Sequence, residues 1–181
     1  PAGIWTWMNG GVRYVASSSG MASHAGTTPM DRRRDAATAA AELALYVEKR
    51  GASVPHLVST IGMLEVPNGS INVVPGRCKF SLDIRATTNE VRDACAADIR
   101  NELKAICERR GLHYKLEETM RAAASPSAPE WQQRWERARE TLGLPLVRMA
   151  SGAAHGATNL HAHLPPAMRA QRDLQSVISH N

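Results

Sequence analysis

His24 stands in "SHAGTTPMDRRRDA" (23–36), where small residues, a turn and an arginine run surround a single imidazole. An imidazole in such a setting can donate a proton, accept one or ligate a metal. His155 in "SGAAHG" and His180 in "ISHN" have similar surroundings, beside small residues or a chain end. Arg85 closes the polar side of "RCKFSLDIRA" (77–86), and Asn72 follows the "PNGS" turn. A guanidinium there can hold a carboxylate through two parallel hydrogen bonds, helped by the Asn72 amide. The alternative is an ordinary solvated strand arginine. His161 and His163 form "HAH", which could share a metal on a strand but diverges in a helical turn, so a surface position is expected. His56 and His113 sit at strand starts and read as structural. No HExxH, phosphate-binding loop, GxSxG or paired CxxC pattern is present.

The elements that must position these residues follow from periodicity. Residues 77–86 alternate Cys78, Phe80, Leu82 and Ile84 against Arg77, Lys79, Ser81, Asp83 and Arg85, which predicts a strand with one wet face. Residues 89–111 place Val91, Ala94, Cys95, Ile99, Leu103 and Ile106 on one helical face, with Gly111 as terminator. Ahead of them, Thr28 is a plausible N-cap and Pro29 suits the first helical position of a long alanine-rich helix closed by Gly51. Strands are expected over 12–20, 55–66 and 112–118, the first weakened by its serines. The order β-α-β-β-α-β over 12–119 is the ferredoxin-like pattern of an antiparallel sheet covered by two helices, so the fold class is α+β. "RAAASPSAP" (121–129) breaks the chain. The helix and short strands after it suit part of a parallel α/β domain.

Bulk composition narrows the function. The 181 residues are 43% hydrophobic and 22% charged, as in a soluble globular protein, and no apolar run is long enough to span a bilayer. The net charge of +5 is spread among acidic residues and aromatic residues make up only 4%, which argues against nucleic acid as a partner. Three cysteines without metal spacing read as buried thiols of a cytoplasmic protein.

Taken in order, "HAGTTPMDRRRDA", "INVVPGRCKFSLDIR", "SGAAHGA" and the terminal "ISHN" resemble a branch of the dinuclear-metal aminoacylase superfamily. That branch holds N-carbamoyl-L-amino-acid hydrolases, β-ureidopropionases and allantoate amidohydrolases. The resemblance implies a two-domain homodimer in which a ferredoxin-like lid makes the dimer contact. Residues 1–11 would be a remnant of the upstream metal domain, 12–119 the lid, and 120–181 the last segment of the metal domain.

By the same resemblance, His24 would stabilise the oxyanion in the partner subunit's site, and Asn72 with Arg85 would bind the substrate carboxylate. His155 would lie near the reacting carbonyl, and His180 would be the final metal ligand. The substrate would be a small N-carbamoyl or ureido acid, and zinc or manganese the cofactor of the parent enzyme. The other family ligands lie upstream of this sequence, and one ligand cannot hold a dinuclear centre. The isolated chain is therefore expected to bind no metal tightly and to be inactive. The alternative is a non-catalytic dimerisation or carboxylate-binding module.

Overall fold

The structure, a computed structural model, describes residues 3–143 and the strand segments Arg148–Ser151 and Arg169–Ala170. In chain order these comprise β1 (Gly3–Met8), β2 (Gly10–Ser19), β3 (Ser23–His24), a 3-10 turn (Met30–Arg32), α1 (Ala36–Gly51), β4 (Val58–Thr60) and β5 (Leu64–Glu65). There follow β6 (Val73–Val74), β7 (Arg77–Ala86), α2 (Asn89–Arg110), β8 (His113–Ala122), β9 (Ser125–Pro126), α3 (Pro129–Thr141), β10 (Arg148–Ser151) and β11 (Arg169–Ala170). Gly10–Ala122 forms one compact unit, and a second joins the chain ahead of Gly10 to the chain after Ala122.

In the first unit the strands lie in the order β4-β7-β2-β8, every neighbour antiparallel, with β5 also paired to β7. The two central strands are amphipathic with period two. Val12, Tyr14 and Ala16 of β2 and Cys78, Phe80, Leu82 and Ile84 of β7 point to the same core. Onto that face α1 packs Ala36, Ala39, Ala40, Leu43 and Val47, a three-and-four spacing that makes one apolar stripe. From α2 come Cys95, Ile99, Leu103 and Ile106. Cys78, Cys95 and Cys107 are free and buried, and burial pushes all three thiols up, which suits packing rather than nucleophilic chemistry. The serines of β2 have a use: the Ser18 hydroxyl donates to Ala36 O at 3.0 Å, tying the sheet to the first residue of α1.

Several expectations need correction. Thr28 does not cap α1. Asp35 does, its carboxylate accepting from Ala37 N and Thr38 N, while residues 28–34 form the 3-10 turn and an extended link. The expected strand over 55–66 splits into β4 and β5. On α2, Ala94 is exposed, whereas Arg92 is only 3% exposed. Its guanidinium donates to Asn89 Oδ1, Ala122 O and both Asp93 oxygens, joining the start of α2 to the end of β8. Gly111 ends α2 as expected, with φ of 64°.

In the second unit β1 pairs with β10 in parallel and with β11 and β9 antiparallel. The segments after the break were expected to suit a parallel sheet; β10 does, whereas β11 runs antiparallel to β1, with Arg169 paired to Ile4. His155 and His180, together with His161 and His163, lie outside the described residues.

Candidate functional site

β2 and β7 pair along their whole length, from Gly10 with Ala86 to Ser19 with Arg77. Beyond Ser19 and Arg77 the chains stay together, because Gly20 N donates to Gly76 O at 2.9 Å. Glycine is required at both positions. A Cβ on Gly20 would fall 2.0 Å from Arg34 O, and one on Gly76 would fall 2.5 Å from Ala22 N. The ribbon then continues as β3 paired with β6, Ser23 opposite Val74 and His24 opposite Val73. Ala25 N donates to Asn72 O at 2.8 Å. The fold therefore brings His24 and Asn72 together on one exposed two-stranded ribbon.

At His24 the chain reverses, with Thr27 N and Thr28 N both donating to His24 O at 3.3 and 3.0 Å. Within this turn Gly26 N donates to the imidazole Nδ1 at 3.1 Å. A nitrogen that accepts carries no proton, so the neutral ring bears its hydrogen on Nε2. The Asn72 carboxamide oxygen accepts from the Ser70 hydroxyl at 3.0 Å. Around the ribbon the apolar side chains of Met30 (76% exposed) and Ile71 (fully exposed) face solvent.

Arg85 is elsewhere. It lies at the far end of β7 from Arg77, and at roughly 3.3 Å per residue that separation is on the order of 26 Å. There it is held by Asp83: Arg85 Nε donates to Oδ1 and Nη2 to Oδ2, both at 2.8 Å. Arg13, directly across on β2, donates Nε to the same Asp83 Oδ2 at 3.0 Å. The bidentate Arg85 contact, opposed by partial burial, keeps the Asp83 carboxyl below its usual range, and the same pair raises Arg85. Two guanidiniums around one carboxylate leave a net positive patch on the sheet face opposite the helices.

Asp83 and Arg13 were not among the expected site residues. Asp83 was legible in principle, because a residue two positions before Arg85 on a strand shares its face. Nothing in the sequence pointed to Arg13, which depends on register across the sheet. Among the described residues no three His, Cys, Asp or Glu side chains converge to hold a metal ion. The described part thus does not supply the donor set of a dinuclear centre, and His180, the ligand expected here, lies outside it. No helix among the described residues is long and apolar enough to cross a membrane.

Residues 8–111 match the family described as the peptidase dimerisation domain. The chain belongs to that family. Among relatives of the family member described here, an N-carbamoyl-L-amino acid amidohydrolase from Geobacillus stearothermophilus is 35% identical over the whole chain and 44% of its own length. An allantoate amidohydrolase from Escherichia coli (strain K12) is 31% identical over 86% of this chain and 38% of its own. Among solved structures, a hydantoinase/carbamoylase family amidase from Burkholderia multivorans superposes with a TM-score of 0.87. It is 32% identical, over 93% of this chain and 41% of that one. This dimerisation-domain chain therefore spans about two fifths of the length of these relatives, which are amidohydrolases and amidases.

Proposed function

We propose that this chain is the dimerisation and substrate-gripping portion of a hydrolase that cleaves linear C–N bonds of N-carbamoyl amino acids or ureido acids, allantoate included. The observation that carries the proposal is the separation of His24 and Asn72 from Arg85 along β7. One copy cannot bring both ends to a small substrate. Two copies related by a twofold axis can present the ribbon of one to the Arg85 end of the other. In that arrangement Arg85 grips the substrate carboxylate, Asn72 donates an amide hydrogen bond, and His24 offers Nε2–H to the carbonyl oxygen on which negative charge develops. The names of the relatives and the family description support this reading.

The proposed architecture is ferredoxin-like, supported by the antiparallel order β4-β7-β2-β8. Its two sheet edges differ. β8 exposes Lys115, Glu117, Glu118 and Arg121, charges that discourage edge pairing. At the β4 edge Leu45, Val58 and Leu64 are 70, 52 and 54% exposed beside a notch lined by Val47, Ser59 and Ile61. We assign the dimer contact to that apolar edge. A divalent zinc or manganese ion, held by groups outside the described residues, would supply the polarised water in the complete cytoplasmic enzyme.

Subunit complementation tests the shared site. Asn72→Ala and Arg85→Ala chains should each dimerise and bind N-carbamoyl-L-alanine much more weakly than the wild type by calorimetry. Re-paired at equal amounts they should recover roughly a quarter of the sites, since half of the dimers are mixed and each keeps one intact site. Mixed dimers with no recovery would rule out a site shared between copies. The isolated chain should show no turnover with zinc or manganese added, and measurable turnover would overturn its assignment as a portion lacking the metal centre.

A further inference from the structure

The turn that carries His24 is held from inside by an arginine the site has not yet used. Arg33 is part-buried, and its Nη2 donates to Ala25 O at 2.6 Å while its Nε donates to Thr28 O at 3.1 Å. Those two carbonyls flank Gly26, whose own N–H reaches His24 Nδ1. One guanidinium thereby closes a loop from residue 25 to residue 28 that would otherwise rest on the two bonds to His24 O. Gly26 has a second requirement placed on it. A Cβ there would sit 3.2 Å from His24 Cε1 and 3.5 Å from Nδ1, crowding the ring out of line with the N–H that it accepts.

We infer that Arg33 and Gly26 are positioning residues for His24, setting its tautomer and ring orientation so that Nε2–H is the group presented outward. The inference rests on the proposed role of His24 as a donor to a developing oxyanion, and it names the groups that make the ring a donor at that nitrogen. Arg33 fits this task because its planar fork fixes two donors, Nε–H and Nη2–H, on two separate carbonyls, whereas an ammonium offers its donors from a single point on a flexible stem. A backbone N–H fits because it is a donor only, leaving Nδ1 no alternative to accepting while the ring is neutral. Of the three consecutive arginines Arg32, Arg33 and Arg34, only Arg33 makes these two bonds among the described residues. Substitutions in the run should therefore be unequal in effect.

The test uses this chain uniformly labelled with 15N, with ring nitrogens observed by long-range correlation to the ring protons. The sample is held near pH 8.5, about two units above the ordinary imidazole pKa. His24→Gln assigns the signals. The wild-type His24 should show a pyridine-like Nδ1 and a pyrrole-like Nε2, with none of the averaging of a solvated ring. Gly26→Ala and Arg33→Gln should move both nitrogens toward averaged values, Arg33→Lys should move them partly, and Arg32→Gln should leave them in place. Backbone amide signals of β8, separated from β7 by β2, report whether each variant keeps its fold. An averaged wild-type ring, an Nδ1–H ring, or unmoved signals in folded Gly26→Ala and Arg33→Gln would overturn the inference. Because nothing is hydrolysed in this measurement, its failure is separable from failure of the shared-site reading.

Discussion

The two ends of β7 hold their candidate residues by different physics. At the ribbon end, the turn that carries His24 is set by bonds whose acceptors are neutral backbone carbonyls: His24 O, Asn72 O, and the Ala25 O and Thr28 O that take the Arg33 guanidinium. At the other end, Arg85 is set by an ionised carboxylate that it shares with Arg13. Bonds that end on neutral carbonyls respond little to pH, whereas ion pairs that are partly open to water respond to both pH and salt. The strand thus joins an end whose acceptors are neutral carbonyls to an end whose acceptor is an ionised carboxylate, and the two should come apart under different stresses.

That contrast requires β7 to act as one rigid strut, so the first way to break it is through the middle. Phe80 is fully buried, the largest such side chain in the core, and lies between the two ends. Phe80→Ala should lower unfolding stability by about 3–5 kcal/mol, seen as a fall in the urea midpoint with little change in slope. Hydrogen exchange should then speed up at both ends together. Faster exchange at one end alone would mean that the strut is not shared.

A narrower break acts at the ribbon alone. Alanine at Gly20 places its Cβ against the backbone oxygen of Arg34, and the far side of the clash is no flexible side chain that could swing away. Gly20→Ala should lower stability by about 1–3 kcal/mol and speed amide exchange of Ala25, whose partner is Asn72 O. Amides around Arg85 should keep their wild-type rates. Equal loosening at Arg85 would dissolve the distinction between the ends.

How much of this was legible before the structure varies by residue. The alternation of 77–86 carries its own answer, because strand faces follow from period two and every inward position of β7 proves buried. The start of α1 misleads. Thr28 followed by Pro29 satisfies the local rules for a helix start, yet Ala36 N donates to Pro75 O at 2.9 Å and Arg33 holds the Thr28 carbonyl, so the helix begins seven residues later at Asp35. Those bonds join residues that sequence spacing does not relate. Burial of Arg92 was hidden for the same reason, since one of its acceptors is Ala122 O. β1 is illegible alone, because a six-residue strand is defined by partners such as β10, which lies far along the chain. The candidate site divides likewise. His24, Asn72 and Arg85 stand out by residue type and motif and Asp83 follows from period two, whereas Arg13, Gly26 and Arg33 emerge only from register and turn geometry.

The smallest expected effect sharpens the comparison most, because its pH dependence has a definite sign. Asp83→Asn removes the charge that Arg13 and Arg85 share, and for a partly exposed cluster the loss should be about 1–2 kcal/mol near neutral pH. The Asp83 carboxyl titrates lower in the folded chain than in the unfolded one, with the Arg85 hydrogen bond as the largest favourable cause. A group of that kind contributes stability that is fully present above its unfolded pKa of about 4 and is lost as pH falls through the lower folded value. The gap between wild type and Asp83→Asn should therefore be constant from about pH 5 to 8 and close below about pH 4. Urea titrations of both proteins across that range measure it. A gap that persists at about pH 2.5 would show that Asp83 acts through packing and neutral hydrogen bonding, and the Arg85 end would then be held as the His24 end is. A gap that closes, while Gly20→Ala shows the same loss at both pH values, would establish that acid releases Arg85 from its carboxylate and leaves the backbone pairing of the ribbon in place.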